Sequence, residues 1–140
     1  MTQMKLVKTI FLKAPREHVW RFLTEKDRLA LWFHAAASDV KAGGELTFLT
    51  NTHGKEGERL CWGAVREVDP PRRLAHTFTH QWIDGVETLC VWELEEYDGG
   101  TMLTLTHTGW EKLGDKAFAH AADHDRGWDE HFVRLRRVTN

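Results

Sequence analysis

Ala14-Pro15-Arg16-Glu17-His18-Val19-Trp20-Arg21-Phe22-Leu23-Thr24 marks a change of period in the chain. Before it, Lys5-Leu6-Val7-Lys8-Thr9-Ile10-Phe11-Leu12-Lys13 is β-branched and apolar enough to form a strand, and Ala14-Pro15 stops that strand. Pro15 suits the first position of a helix, and Glu17 suits the positive end of a helix dipole. The spacing therefore predicts a helix from Pro15 to Leu23 that buries Val19, Trp20 and Leu23. Thr24 followed three residues later by Asp27 has the spacing of a capping box. It predicts a second short helix carrying Leu29, Trp32 and Phe33 on one side.

Downstream of Ala35 the helical period disappears. Turn signals recur at Gly43-Gly44, Asn51 to Gly57, Asp69-Pro70-Pro71, Asp84-Gly85 and Asp98-Gly99-Gly100, where Gly permits positive φ and Pro removes a ladder donor. The intervals are too short for crossover helices, so the roughly five or six strands between them form an antiparallel meander. After Gly114-Asp115 the helical period returns and reaches Val138, a length of about 34 Å at a rise of about 1.5 Å per residue. Ala117, Ala121, His124, Trp128, His131, Leu135 and Val138 follow three-four spacing and share one face. The expected architecture is α+β: one strand, two short helices, then a strongly curved antiparallel sheet, about six to seven strands in all, and a long C-terminal helix.

Composition narrows the functional classes. A length of 140 residues fits one domain around one core, residues 1–140. A net charge of -2, from 19 basic and 21 acidic residues, gives no electrostatic reason to expect nucleic acid or an anionic membrane as partner. The N-terminus lacks the apolar run of a secretory signal. No apolar stretch approaches the roughly 20 residues needed to span a bilayer, so a cytoplasmic location is expected. Cys61 and Cys90 lie far apart without ligand spacing, which predicts buried reduced thiols. Seven tryptophans in so short a chain require a large aromatic interior, either a core or a pocket.

The residues 14–24 quoted above, with Leu29-Ala30-Leu31-Trp32-Phe33, resemble the opening of START-like (SRPBCC) helix-grip domains. They are most similar to the branch named after activators of the heat-shock protein 90 ATPase. Further matches follow in order: Gly43-Gly44 before Leu46 and Phe48, Val68-Asp69-Pro70-Pro71-Arg72-Arg73-Leu74, Gly100-Thr101-Met102-Leu103-Thr104-Leu105-Thr106-His107, and Gly127-Trp128. The resemblance covers nearly the whole chain and implies a helix-grip fold, the curved sheet wrapped on the long C-terminal helix, with a cavity between the two.

Side-chain alternation says which residues could line that cavity. After Pro71, the residues Leu74, His76, Phe78, His80 and Trp82 point one way and Ala75, Thr77, Thr79 and Gln81 the other. Leu103, Leu105 and His107 alternate with threonines, and Cys90, Trp92 and Leu94 alternate with glutamates. Trp62 and Ala64 are placed inward on the same reasoning. Trp20 and Trp32 are assigned to packing. The candidate ligand-binding set is Phe48, Trp62, His76, Phe78, Trp82, Trp92, Leu105, His107, His124, Trp128 and His131. Apolar walls with sparse imidazole and indole groups match a small-molecule pocket, and the expected ligand is a small hydrophobic or aromatic molecule. A void of about 300 Å³ or more would support binding, and a packed interior a structural or partner role.

No metal and no cofactor are expected. His120, His124 and His131 share one side of the helix, but the last two stand about 10 Å apart along it and no HExxH-type motif is present. The chain also has no GxSxG elbow, P-loop or GxGxxG, and no catalytic residue is assigned. Two alternatives to the binding domain remain. One is an enzyme of cyclase or hydrolase type using inward His107 or His131 with Glu87, Glu93 or Asp123. The other is a module with a chaperone or homodimer partner.

Overall fold

The computed structural model describes residues 4–49 and 59–140, so the turn expected at Asn51 to Gly57 lies outside the described residues. Strand β1 (Leu6–Leu12) is followed by helices α1 (Arg16–Thr24) and α2 (Lys26–Trp32). Six further strands come next: β2 (Ala35–Ala36), β3 (Glu45–Leu49), β4 (Arg59–Asp69), β5 (Arg73–His80), β6 (Thr88–Tyr97) and β7 (Gly100–Thr108). Helix α3 (Ala117–Thr139) closes the order. All seven strands form one antiparallel sheet in the order β1-β7-β6-β5-β4-β3-β2, curled as a half-barrel around α3. The element order is that expected from the period changes, and the helix-grip arrangement is the one the resemblance implies.

Three details of the helical boundaries differ from the sequence reading. Pro15 is the extended N-cap of α1, with φ -66° and ψ 158°, and the helix begins one residue later. No capping box forms at Thr24. That residue is still helical, and its hydroxyl donates back to the Trp20 carbonyl at 2.9 Å. The free end of α2 is met from elsewhere, by Asp39, whose Oδ1 accepts from the Lys26 N–H at 2.9 Å. Before α3 the chain makes a 3-10 stretch at Trp110–Lys116, which breaks at Gly114 (φ 61°, ψ -128°). The sequence periodicity gave no sign of it because Gly114-Asp115 reads as a turn.

Alternation holds cleanly in β6 and β7. Thr88, Cys90, Trp92 and Leu94, and Thr101, Leu103, Leu105 and His107, are buried, while Met102, Thr104 and Thr106 between them are half-buried on the convex face. In β4 the parity is opposite to the expectation. Cys61 pairs with His80, and Val65 with His76, so Cys61 and Val65 face inward while Trp62 pairs with Thr79 on the convex side. An irregularity between Val65 and Glu67 then shifts the register by one. Gly63 belongs to the same stretch. A Cβ there would stand 1.8 Å from the Thr77 carbonyl oxygen, so only glycine allows this approach of β4 to β5.

The interior is aromatic. Trp32 is 1% exposed, stacks on Phe132 at 6.2 Å and meets Trp92 edge-on at 6.1 Å. Trp92 meets Trp128 edge-on at 5.4 Å, which locks the sheet to α3. At about 25 cal/mol per Å² and about 150–250 Å² each, a buried tryptophan gains about 4–6 kcal/mol of transfer free energy before its ordering cost. The indole hydrogens are also satisfied: Trp32 donates to the Phe22 carbonyl at 2.8 Å and Trp110 to the His107 carbonyl at 2.9 Å.

Candidate functional site: an aromatic cleft at one end of the grip

The middle of the grip is filled by the protein's own side chains, and two histidines there are built into closed hydrogen-bond chains. Trp128 donates to His107 Nδ1 at 3.1 Å. His107 Nε2 lies 2.8 Å from Thr88 Oγ1, and that hydroxyl donates onward to the Phe78 carbonyl at 2.6 Å. The Thr88 proton is thereby committed, so His107 is the donor at Nε2 and the acceptor at Nδ1, a neutral imidazole in one tautomer. His76 repeats the pattern. It receives the Trp92 indole hydrogen at Nε2 at 2.9 Å and gives its Nδ1 hydrogen to the Thr77 carbonyl at 2.9 Å. Burial pushes the His76 pKa down to about 4 and that of His107 well below the usual range, with neighbouring imidazoles adding to the effect on His107.

Space opens at one end, beyond Trp128. A cleft of about 180 Å³ lies between the N-terminal half of α3, the ends of β4 and β5, and the residues that follow α2. Phe33, Phe78, Trp82 and Trp128 supply its aromatic walls, Leu60, Cys61 and Gly127 line it further, and His34, His80, Asp123, His124 and His131 are its polar groups. The volume falls short of the roughly 300 Å³ set above as support for a ligand cavity. It is close to the roughly 150 Å³ at which an apolar cavity accepts benzene. Larger hollows of about 630 and 300 Å³ occur on the convex face of the sheet. Charged side chains such as Arg66, Glu67, Arg73 and Glu87 line the former, and Glu45, Arg59 and Glu87 line the latter. The aromatic cleft has the makeup of a small-molecule site, and those grooves do not.

The cleft imidazoles are held neutral. Burial first, then the Arg134 guanidinium, lowers His34 to about 4. Burial, His34 and Arg134 together lower His131 to about 3. Arg134 also places His131, because its Nε donates to the Trp32 carbonyl at 3.0 Å while its Nη2 donates to His131 Nδ1. Burial likewise lowers His80 to about 4, helped by His124 and His120, and lowers His124. His80 and His124 face each other with their Nε2 atoms 2.8 Å apart.

The residues singled out from sequence divide three ways. Phe78, His124, Trp128 and His131 line the cleft, and Trp82, on the 3-10 turn Gln81–Ile83, stands at its rim with 61% of its surface exposed. Phe48, His76, Trp92, Leu105 and His107 are packed in the core and touch no open space. Trp62 is corrected outright: its ring lies on the convex face beneath Arg59, whose Cζ is 3.7 Å from the ring centroid. The inward residue there is Cys61, since β4 pairs with β5 in the opposite parity. Sequence reasoning left His34, His80 and Cys61 out of the site. His80 did carry a signal, the alternation through His76 and Phe78. His34 had none, because it follows a helix end where no period applies.

Of the carboxylates considered as catalytic assistants, Glu87 and Glu93 lie apart from the inward imidazoles, and Asp123 lies near them. Glu93 pairs with Arg73 at 3.0 Å and Glu87 lies 3.9 Å from Arg66, both on the convex side. Asp123 reaches the cleft edge but pairs with Arg126 at 2.9 Å. Among the described residues no group of three His, Cys, Asp or Glu side chains converges closely enough to hold a metal ion. Among them, too, no helix is long and apolar enough to cross a membrane.

A curled seven-stranded sheet gripping a C-terminal helix, with an aromatic cleft at one end, defines a START-like helix-grip domain. The family model described as Activator of Hsp90 ATPase homolog 1-like protein matches residues 13–140, and the chain belongs to that family. Among solved structures it is similar to CalU16 from Micromonospora echinospora, at 22% identity over 97% of this chain and 74% of that one, with a TM-score of 0.75. It is also similar to the Aha1 dimer from Colwellia psychrerythraea, at 19% identity over 97% and 96%, TM-score 0.78. A third similar structure is PFC0360w, described as an HSP90 activator from Plasmodium falciparum, at 19% identity over 75% and 72%, TM-score 0.63. At these identities the likeness establishes the fold. No curated protein matches the chain in sequence.

Proposed function

We propose that this protein is a small-molecule binding domain whose ligand is a small aromatic molecule held in the cleft between α3 and the ends of β4 and β5. The observation that carries the reading is the contrast between the packed interior and the cleft. Where the core histidines are closed off by tryptophan and backbone partners, Phe33, Phe78 and Trp128 leave an aromatic space with imidazoles at its edge. Its volume of about 180 Å³ sets the ligand at one aromatic ring with a small substituent. Titration with benzyl alcohol, followed by calorimetry and by tryptophan fluorescence, tests this. Saturable binding that a bulky side chain at Gly127 weakens is expected, and the absence of any heat or spectral change up to the solubility limit, with benzyl alcohol and with benzoate alike, would reject it.

A protein partner is a second reading with its own support. One similar structure is described as a dimer and another as an HSP90 activator. Here Val7 and Phe11, on the edge strand β1, are 54% and 65% exposed. Self-association through that face predicts a dimer in sedimentation equilibrium that Phe11→Ser dissociates. A monomer at every concentration would dispose of it.

A further inference from the structure

The proton positions at the His80–His124 pair follow from its neighbours. His124 Nδ1 lies 2.7 Å from the His120 carbonyl oxygen, which can only accept, so this nitrogen carries a hydrogen. A neutral His124 then has a bare Nε2, and the hydrogen in the 2.8 Å contact belongs to His80 Nε2. His80 is therefore left with a lone pair at Nδ1. That atom is buried and has no hydrogen-bond partner among the described residues, in a side chain only 8% exposed. A buried acceptor in this state has given up water without a hydrogen bond in return. The pair has room for one more proton, at the one nitrogen that nothing satisfies.

What holds that proton off is the lack of a counter-charge. From α3, His120 and Asp123 face the pair, and from β7 comes His107, whose ring is 5.7 Å from that of His124. From β4 comes Cys61, the register partner of His80, as an uncharged thiol. Asp123 is the sole acid in this set; it sits at the solvent edge, 63% exposed and paired with Arg126 at 2.9 Å, and its upward pull on His124 is smaller than the opposing effect of burial. The remaining wall is Phe78, Trp110 and Trp82, uncharged rings that supply no counter-charge. An imidazolium here needs an anion brought in from outside, and the cleft opens beside it.

We infer that the natural ligand of the cleft is a small aromatic carboxylic acid, bound as its anion, and that the His80–His124 pair takes up one proton from solvent as it binds. No ligand bond is made or broken. The proton completes a bridged pair with hydrogens on His124 Nδ1, on His80 Nδ1 and between the two Nε2 atoms, and the carboxylate balances its charge. The aromatic ring lies against Phe33, Phe78 and Trp128. This rests on the small-molecule reading above and narrows it to an acid.

Calorimetry with benzoate and with benzyl alcohol, its neutral counterpart, tests the inference at pH 5.5 to 8 in buffers of different ionisation enthalpy. Benzoate is expected to bind with uptake approaching one proton at the acid end, its affinity rising by up to about tenfold per pH unit as pH falls through the window, as linkage requires for one proton. Benzyl alcohol is expected to show neither effect. In imidazole ¹⁵N spectra of the unsubstituted protein, benzoate should move the His80 and His124 resonances to their protonated positions, and His124→Gln should abolish the uptake. If benzyl alcohol binds but benzoate does not, or benzoate binds without proton uptake, the acid inference is overturned and the small-molecule reading stands. If neither binds, both fall.

Discussion

The indole hydrogen of Trp128 is received by Nδ1 of His107 at 3.1 Å, and this contact joins helix α3 to strand β7 at the centre of the grip. Both residues stand out in the sequence as inward-facing polar groups, the kind that orient a ligand. The structure gives each the other as partner. His107 is a fixed crosspiece of the core, with Thr88 on its far side.

A crosspiece role predicts a stability effect. His107→Ala leaves the Trp128 N–H without an acceptor and opens a cavity in a fully buried site, so it should lower unfolding free energy by about 2–4 kcal/mol. Trp128→Phe removes the donor while keeping much of the ring packing and should cost less, about 1–2 kcal/mol. Urea denaturation checks both, and a His107→Ala protein as stable as the parent would contradict the role.

Gly127 separates the cleft from the core. A Cβ built there meets nothing within 4 Å, although the residue sits within α3 and lines the cleft. Gly127→Ala should therefore stabilise the helix by about 0.5–1 kcal/mol. Gly127→Leu should keep the fold but fill the cleft and lower affinity for benzyl alcohol at least tenfold. Circular dichroism and calorimetry on the two variants give the answer, and unchanged binding by the leucine variant would place the ligand elsewhere.

Stability should depend on pH through the histidines. Burial holds His76, His80 and His34 near 4 and His131 near 3, and lowers His107 and His124. In the unfolded chain these groups titrate near the usual value of about 6.5. Between that value and their folded ones the unfolded state binds more protons, so stability is complete above about pH 7 and is lost as pH falls through 6.5 toward 4. The slope approaches about 1.4 kcal/mol per pH unit for each histidine that stays neutral in the fold. Urea midpoints measured from pH 8 to 4.5 should be flat and then fall steeply. A fall that begins only below pH 4.5 would implicate carboxylates instead.

Cys61 and Cys90 are free and buried, and desolvation pushes both thiols far up from their usual range. Neither should react with a thiol reagent in the native protein at pH 8, and both should react in denaturant. Cys61 borders the cleft and should be the first to label as urea is raised. Equal protection of the two would mean that the cleft opens only with global unfolding.

How far the sequence carried depends on the element. The period change at Pro15, the turn residues and the three-four spacing after Asp115 predicted about six to seven strands and three helices in the observed order, because side-chain periodicity is a local property. Parity in β5, β6 and β7 followed from the same alternation. It failed in β4, where Trp62 and Cys61 exchange faces, since nothing between Gly57 and Asp69 marks which residue is paired inward. The capping box at Thr24 failed for a related reason: Thr24 and Asp27 have the right spacing, but Asp39, twelve residues beyond Asp27, takes the donor.

Sequence by itself determined an α+β order of elements with an aromatic interior carrying inward histidines, because apolar periodicity and turn chemistry are written residue by residue, and the family resemblance implied the helix-grip arrangement. Tertiary structure alone decided which of those aromatics are core and which are cleft. Whether His107 or His124 is free to meet a ligand depends on partners contributed by other elements. Thr88 and Trp128 close off His107, while His124 meets His80, which has an unsatisfied nitrogen and open space nearby. Hydrogen-bond saturation depends on three-dimensional neighbours, and a list of inward-facing residues cannot supply them.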